Sequence, residues 1–311
     1  MTKKEGNKTV VNRDVAEKLD SAKILAALGG DEDVIAYSVT PGSKEEVEID
    51  GTKEEDIERL TYEEQLDSLK TGMKLLMANA TNSIYLAGRG GIGKTQTVED
   101  ELHAAGKTDG DGFYKVTGSA STAGIYRILF QHRKEILLFD DSDGALADQD
   151  SRNLFKAASD TKRVRKISWQ KGGKTYVDPD DYDWENEGDQ DELPRSFEFT
   201  GKIIFISNLP LNKLDPDGAL RTRGFVINID PFDYELIEFM KKIAPKMPLE
   251  VDYTLSDKDR EEVVDVLAKR TTSTSKVINI RMLVRGLNVR AGVEKSGGSS
   301  AEWIKFVQRF C

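Results

Sequence analysis

The sequence predicts an α/β fold, a mostly parallel sheet covered by helices on both faces in three α/β/α layers, followed by a small all-helical domain. Three observations carry this reading. Between Ser83 and Ile229, short apolar runs alternate with helical patterns, which is the signature of parallel strands joined by crossover helices. The stretch Gly88-Arg89-Gly90-Gly91-Ile92-Gly93-Lys94-Thr95 lies between one such run and a helix start. After Pro231 helical periodicity continues with no strand between the helices.

The elements follow in order. Residues 1–60 hold 9 Lys/Arg against 15 Asp/Glu, an acidic N-terminal region of unknown role. A helix is expected over 14–28 and a strand over 34–39. Thr61 to Ala78 reads as a helix, with Leu66, Leu69, Met73 and Leu76 on one stripe and a capping box from Thr61 and Glu64. Strands are expected at 83–87, 112–117, 135–139, 202–207 and 225–229, and helices at 94–104, 123–133 and 151–159. The second domain, 232–311, has helical patterns at 234–243, 257–268, 281–291 and 301–310. The α/β domain thus spans 61–231, with an insert at about 160–200.

Bulk properties narrow the function classes. The net charge is −10 over 311 residues, which opposes non-specific coating of DNA without excluding a local basic element. No apolar run approaches the ~20 residues that span a bilayer. The N-terminus has no signal-peptide core, and the one cysteine, Cys311, points to a reducing, cytoplasmic setting. His103 and His132 lack ligand spacing, so zinc chemistry and a Ser-His-Asp site are disfavoured.

The glycine stretch fits G-x-x-x-x-G-K-[ST], the phosphate-loop pattern, in its strand-loop-helix context. Its glycines let the backbone curl and turn N–H groups inward, at a helix N-terminus that favours anions. The loop Gly88, Arg89, Gly90, Gly91, Ile92, Gly93 and the helix opening Lys94, Thr95, Gln96 are candidate nucleotide-binding residues. Lys94 carries a point charge to the β- and γ-phosphates of ATP, and the Thr95 hydroxyl can ligate Mg²⁺. At Ile136-Leu137-Leu138-Phe139-Asp140-Asp141 a buried strand runs into two carboxylates. Asp140 is the candidate Mg²⁺ ligand, and Asp141 the group that orients or deprotonates the attacking water. Asn208 ends the strand at 202–207 and could hold that water or a γ-phosphate oxygen. Arg221 and Arg223 precede the strand at 225–229. They are either a surface pair or reach the nucleotide of a neighbouring subunit. Arg281, in the first turn of a helix capped by Asn279, sits where the helix dipole disfavours a cation, which suggests a grip on the γ-phosphate.

In this order the set resembles the AAA+ ATPase family of P-loop NTPases. GRGGIGKT matches Walker A, ILLFDD Walker B, IIFISN sensor 1, ALRTRGF the finger box and NIR sensor 2. The resemblance covers about residues 61–291. It implies Mg-ATP hydrolysis at the interfaces of a ring, usually a hexamer, with a helical lid over each nucleotide. Arg223 matches the trans-acting finger best, with Arg221 as the alternative. Lys94, Thr95, Asp140, Asn208 and Arg281 match cis positions. The family usually has Glu where this chain has Asp141, which is one methylene shorter.

The insert opens with a basic run and continues into residues 178–192, with nine acids and no base. Val164–Trp169 and Ser196–Phe199 read as arms of a hairpin with a long acidic tip. Arg163, Arg165, Lys166 and Trp169 are candidate contacts to single- or double-stranded DNA, by phosphate pairing and stacking. The other reading pairs the basic arm with the acidic tip. The loop Gly118–Gly124 has no aromatic, which weakens a protein-threading role. The leading expectation is a phage-encoded motor or loader in DNA metabolism. A protein-remodelling chaperone and a nucleotide-gated scaffold with slow turnover are the alternatives. A protein partner through residues 1–60 is a further expectation.

Overall fold

The computed structural model describes residues 2–5, 8–11, 47–50, 59–171, 175–186, 192–274 and 278–311. The helix expected over 14–28 and the strand over 34–39 lie outside them. The chain divides into two units, Met1–Arg59 and Leu60–Cys311. In the first, β1 (Thr2–Glu5), β2 (Lys8–Val11) and β3 (Val47–Asp50) form an antiparallel sheet in that order.

The second unit is built on a six-stranded parallel sheet. Its strands are β4 (Ser83–Gly88), β5 (Thr108–Asp109), β6 (Gly112–Thr117), β7 (Ile136–Asp140), β12 (Lys202–Ser207) and β13 (Phe225–Ile229), in the spatial order β13-β4-β12-β7-β6-β5. Alternation along each strand explains the three layers. Ile84 and Leu86 of β4, Ile136 and Leu138 of β7, and Ile204 and Ile206 of β12 face one apolar cluster. Tyr85, Leu137, Phe139, Ile203 and Phe205 face the other. Across the second face Tyr85, Phe205 and Phe139 form a stacked row at centroid separations of 5.2 and 5.1 Å.

On the first face lie α1 (Tyr62–Met77) and α2 (Lys94–Ala104); on the second lie α3 (Thr122–Gln131) and α5 (Gln149–Ala158). The Thr61–Glu64 capping box forms as its spacing implies. Two short helices were not foreseen, α4 (Asp143–Ala147) and α6 (Leu211–Leu214); neither has a full apolar repeat. The helical segment comprises α7 (Asp233–Ile243), α8 (Asp257–Thr274), α9 (Ile280–Lys295) and α10 (Ser300–Phe310). Packing does not divide the chain near residue 231. One apolar cluster runs from Ile206 and Ile229 of the sheet into Leu236, Met240, Leu283 and Trp303 of the helices.

The expected hairpin forms, with β8 (Arg165–Ser168) antiparallel to β11 (Ser196–Phe199). Between them β9 (Tyr176–Val177) and β10 (Leu193–Pro194) pair in parallel. The acidic stretch is not a free tip where it is described. Tyr182 is buried, and Tyr182 and Trp184 pack edge-on against Phe130 of α3.

Two candidate nucleic-acid contacts are corrected here. Arg165 is 2% exposed; it donates to the Gly201 carbonyl, and its guanidinium covers the Phe199 ring at 5.0 Å. Trp169 is 8% exposed and packs against Tyr126 and Tyr176. Both lie on the hairpin face that carries Ile167 into the core, so neither can stack on a base or pair with a phosphate. Arg163 and Lys166 are exposed. Lys166 stands across the ladder from Glu198, which dilutes its positive field.

Candidate functional site

The site lies at the carboxyl ends of the central strands, where open parallel sheets bind ligands. The glycine loop follows β4 directly. Gly91 and Gly93 have φ of 76° and 86°, the left-handed region that favours glycine. A Cβ at Gly88 would come within 2.2 Å of the Ile229 carbonyl oxygen. The Ile92 side chain is buried in the core, and Tyr62 of α1 donates its hydroxyl to the Ile92 carbonyl at 2.5 Å. Tyr62 was missed by the sequence reading, because 30 residues separate it from the loop.

Lys94 opens α2 and is 5% exposed. Its ammonium donates to the carbonyls of Gly88 (2.7 Å) and Arg89 (2.9 Å) and to Asn208 Oδ1 (3.1 Å). Burial pulls Lys94 down to about 8, against the opposing pull of Asp141 and Asp140. Because lysine only donates, Asn208 must present its oxygen to Lys94. Its amide nitrogen then donates to Asp141 Oδ1 at 2.7 Å. Asp141 has φ of 53°, uncommon for a residue with a side chain. The turn carries the chain off β7 and sets its carboxylate across from Asn208.

Thr95 donates to Asp140 Oδ1 at 3.1 Å. A hydroxyl and a carboxylate side by side are hard oxygen ligands, and Mg²⁺ commonly takes one or two protein oxygens and completes its shell with phosphate and water. The donor set fits that ion. Asp140 Oδ2 also lies 3.4 Å from Lys115 of β6, whose ammonium donates to Glu99 of α2 at 2.7 Å. Burial alone would lower Lys115, but the Glu99 and Asp140 carboxylates outweigh it and hold it above its ordinary value. Lys115 and Glu99 were also missed. Only the packing of α2 over β6 joins them.

A cavity of about 300 Å³ collects Gly91, Lys94, Thr95, Asp140, Asp141 and Asn208, and Gln96 and Arg281 line it too. Arg281 reaches it from α9. The cap Asn279 accepts from Met282 N–H at 3.0 Å, and the Ile280 backbone N–H donates to the Gly91 carbonyl at 2.8 Å. The helical segment is thereby fixed to the loop itself. Arg89 behaves differently from the other loop residues, since its side chain pairs with Asp233 at the start of α7 at 2.8 Å. Gln96 also donates to Asp100 at 2.8 Å.

Arg221 and Arg223 are not brought to this cavity. β13 runs parallel to β4 with Phe225 beside Ile84 and Ile229 beside Gly88. Both arginines precede Phe225, so they stand at the amino end of the sheet. Four residues of parallel strand, roughly 13 Å, separate that level from the loop. Asp215, fully buried, accepts from the backbone N–H of Leu220 and Arg221 and shapes this turn.

No family model matches the chain. It is 30% identical over 179 residues to an uncharacterized 36.7 kDa protein encoded in the nrdC-mobD intergenic region of enterobacteria phage T4; the match covers 55% of this chain and 51% of that protein. The chain therefore spans about half the length of this relative. Among solved structures it superposes on a mutant RuvB of Thermotoga maritima with a TM-score of 0.46 at 16% identity, over 80% of this chain and 70% of that one. A katanin structure gives a TM-score of 0.44 at 12% identity, over 83% and 84%.

Proposed function

We propose that this chain is an AAA+ ATPase that binds Mg-ATP in the glycine loop and hydrolyses it with help from an adjoining copy. Its fold is the one that the resemblance in its motifs implies, a parallel α/β/α sandwich with the phosphate-loop strand between β13 and β12, followed by helices. The observation that carries the activity is the convergence of Lys94, Thr95, Asp140, Asp141, Asn208 and Arg281, from three elements and two loops, on one cavity.

In this reading the loop N–H groups and Lys94 bind the β- and γ-phosphates. Thr95 and Asp140 hold the magnesium ion, which when bound offsets charge on the phosphates. Asp141 takes the proton of the attacking water, and Asn208 fixes its carboxylate. Arg281 grips the γ-phosphate from the lid. Arg223, or Arg221, stabilises the transferred phosphoryl group on a neighbour's nucleotide, a reading that their distance from their own loop supports. A ring, most simply a hexamer, satisfies this geometry.

Lys94→Ala is the direct test. ATP affinity and turnover are both expected to fall by more than ~10²-fold; wild-type values for both would overturn the proposal. A second reading, a nucleotide-gated scaffold with slow turnover, is favoured by the short Asp141 carboxylate already tied to Asn208. ATP binding with negligible phosphate release would select it. For the substrate, the burial of Arg165 and Trp169 leaves Arg163 and Lys166 to support contact with DNA. The relative in phage T4 supports a phage origin.

A further inference from the structure

Two surfaces of the second unit expose apolar side chains. The first is an open groove of about 660 Å³ between α1 and β13. β13 is an edge strand of the sheet, and the groove exposes Leu75, Phe225 and Val226, each between 37% and 39%. Its α1 wall carries Glu64 and Asp67, and Arg221 lies among the lining residues. The two ends of the groove differ in charge. The Asp230 N–H donates to Gln65 at 2.8 Å and Gly72 sits against Ile227, so α1 and β13 run antiparallel. The Glu64 and Asp67 end therefore lies toward the carboxyl edge of the sheet. Arg221, which precedes β13, lies at the opposite end with Leu75.

The second surface is the outer face of α10. Trp303 and Val307 bury the inner face against α8 and α9. On the outer face Phe306 and Phe310, one helical turn apart, are 48% and 62% exposed, with ring centroids 4.8 Å apart. Glu302 stands a turn before Phe306 and Arg309 in the last turn. Two exposed phenylalanines on one face are an unusual load for a surface helix.

The two patterns are complementary in charge, polarity and length. From Glu302 to Arg309 is about 10 Å of helix, and from Asp67 to Leu75 about 12 Å. We propose that α10 of a second copy of this chain docks in the groove, antiparallel to α1. Phe306 covers Leu75, Phe225 and Val226, and Phe310 lies a turn further along toward Asp67; Glu302 meets Arg221, and Arg309 meets Asp67. The two patches differ, so the contact is head-to-tail, and it repeats from copy to copy until it closes a ring or continues as a filament. This inference rests on the assembly reading above and names the surfaces that build it.

The test measures assembly by sedimentation with ATP as protein concentration is raised. Phe306→Ser/Phe310→Ser is expected to raise the concentration for half-assembly at least about tenfold, the effect of removing central aromatic anchors. Melting curves confirm that the variant folds. Arg309→Asp is expected to weaken assembly, and Asp67→Arg added to it to restore it. In a Cys311→Ser background, chains carrying Leu75→Cys are mixed with chains carrying Phe306→Cys and oxidised; a cross-linked dimer is expected in the mixture and not in either batch alone. If the wild type assembles while the phenylalanine variant assembles at the same concentration and no mixed dimer forms, the docking is overturned and the assembly reading stands. That result would assign the groove to another occupant. A wild type that stays monomeric with ATP, with ADP and without nucleotide overturns the assembly reading, and the docking falls with it.

Discussion

The two ends of the parallel sheet are built to different rules. At the carboxyl end polar side chains are spoken for: Lys94 has three acceptors, Asn208 bridges Lys94 to Asp141, and Thr95 holds Asp140. At the amino end Arg221 has one distant carboxylate partner, Asp215 at 3.8 Å, and Arg223 donates to a backbone carbonyl of its own turn. One end gathers Lys94, Asp140, Asp141 and Asn208 on one cavity, away from Arg221 and Arg223. The other offers arginines without an anion. In the proposed function this difference divides the chemistry between copies, and that division is what the predictions below test.

The sharpest way to break this comparison is Arg223→Ala. Turnover is expected to fall about 10³-fold with ATP affinity retained. Mixing that variant with Lys94→Ala chains should recover part of the rate, because each supplies what the other lacks. Absence of recovery under assembling conditions would remove Arg223 from the trans role. Next comes Asp141→Asn, expected to cost about 10²-fold or more in turnover and to leave binding intact in a filter or fluorescence assay.

A third test addresses the hairpin. Arg165→Ala is expected to lower stability by about 2 kcal/mol, because it leaves the Gly201 carbonyl buried and unmatched. Arg163→Ala should change stability by no more than about 0.5 kcal/mol. Denaturant titration separates them, and equal costs would contradict the assigned faces. The smallest effect is a proton count. With Lys94 at about 8 without ligand, a bound polyanion raises its affinity for protons. At pH 8.5 ATP binding should take up a fraction of a proton, more than at pH 7, where Lys94 is already charged. Calorimetry in buffers of different ionisation enthalpy reads it directly, and Lys94→Arg should abolish it. The same shift has a stability sign. The unfolded chain binds this proton up to its ordinary value of 10.5 and the folded chain only to about 8, so the penalty is full below pH 8 and is relieved as pH rises toward 10.5.

Much of the carboxyl end was legible because the phosphate-loop pattern is contiguous in sequence. Glycines, lysine and threonine follow one another on a strand-to-helix turn, and a carboxylate ends a buried strand two places away in the sheet. Strand order, by contrast, brings Lys115 to Asp140 and Glu99 across 25 and 16 positions of sequence, and no local pattern marks that. The hairpin was misread for a different reason. In Arg165-Lys166-Ile167-Ser168-Trp169 the period of two assigns Arg165 and Trp169 to the side of Ile167, and Ile167 belongs inside. Composition was given more weight than parity, so buried residues were expected on a binding face. The two-residue β5 and the short α4 and α6 escaped because neither propensity nor periodicity acts over so few positions.

The bond from Ile280 to Gly91 joins peptide to peptide, so almost no side-chain exchange can sever it. Proline is the exception. Position 280 begins its helix, where that residue is tolerated, and Asn279 before it is already extended at φ −155° and ψ 162°, as a following proline prefers. Ile280→Pro would delete the N–H from the link and, with it, a partly buried isoleucine side chain that packs on the core. Motion of the helical segment that survives such a cut does not run through this one bond, since Arg89 still ties the loop to Asp233.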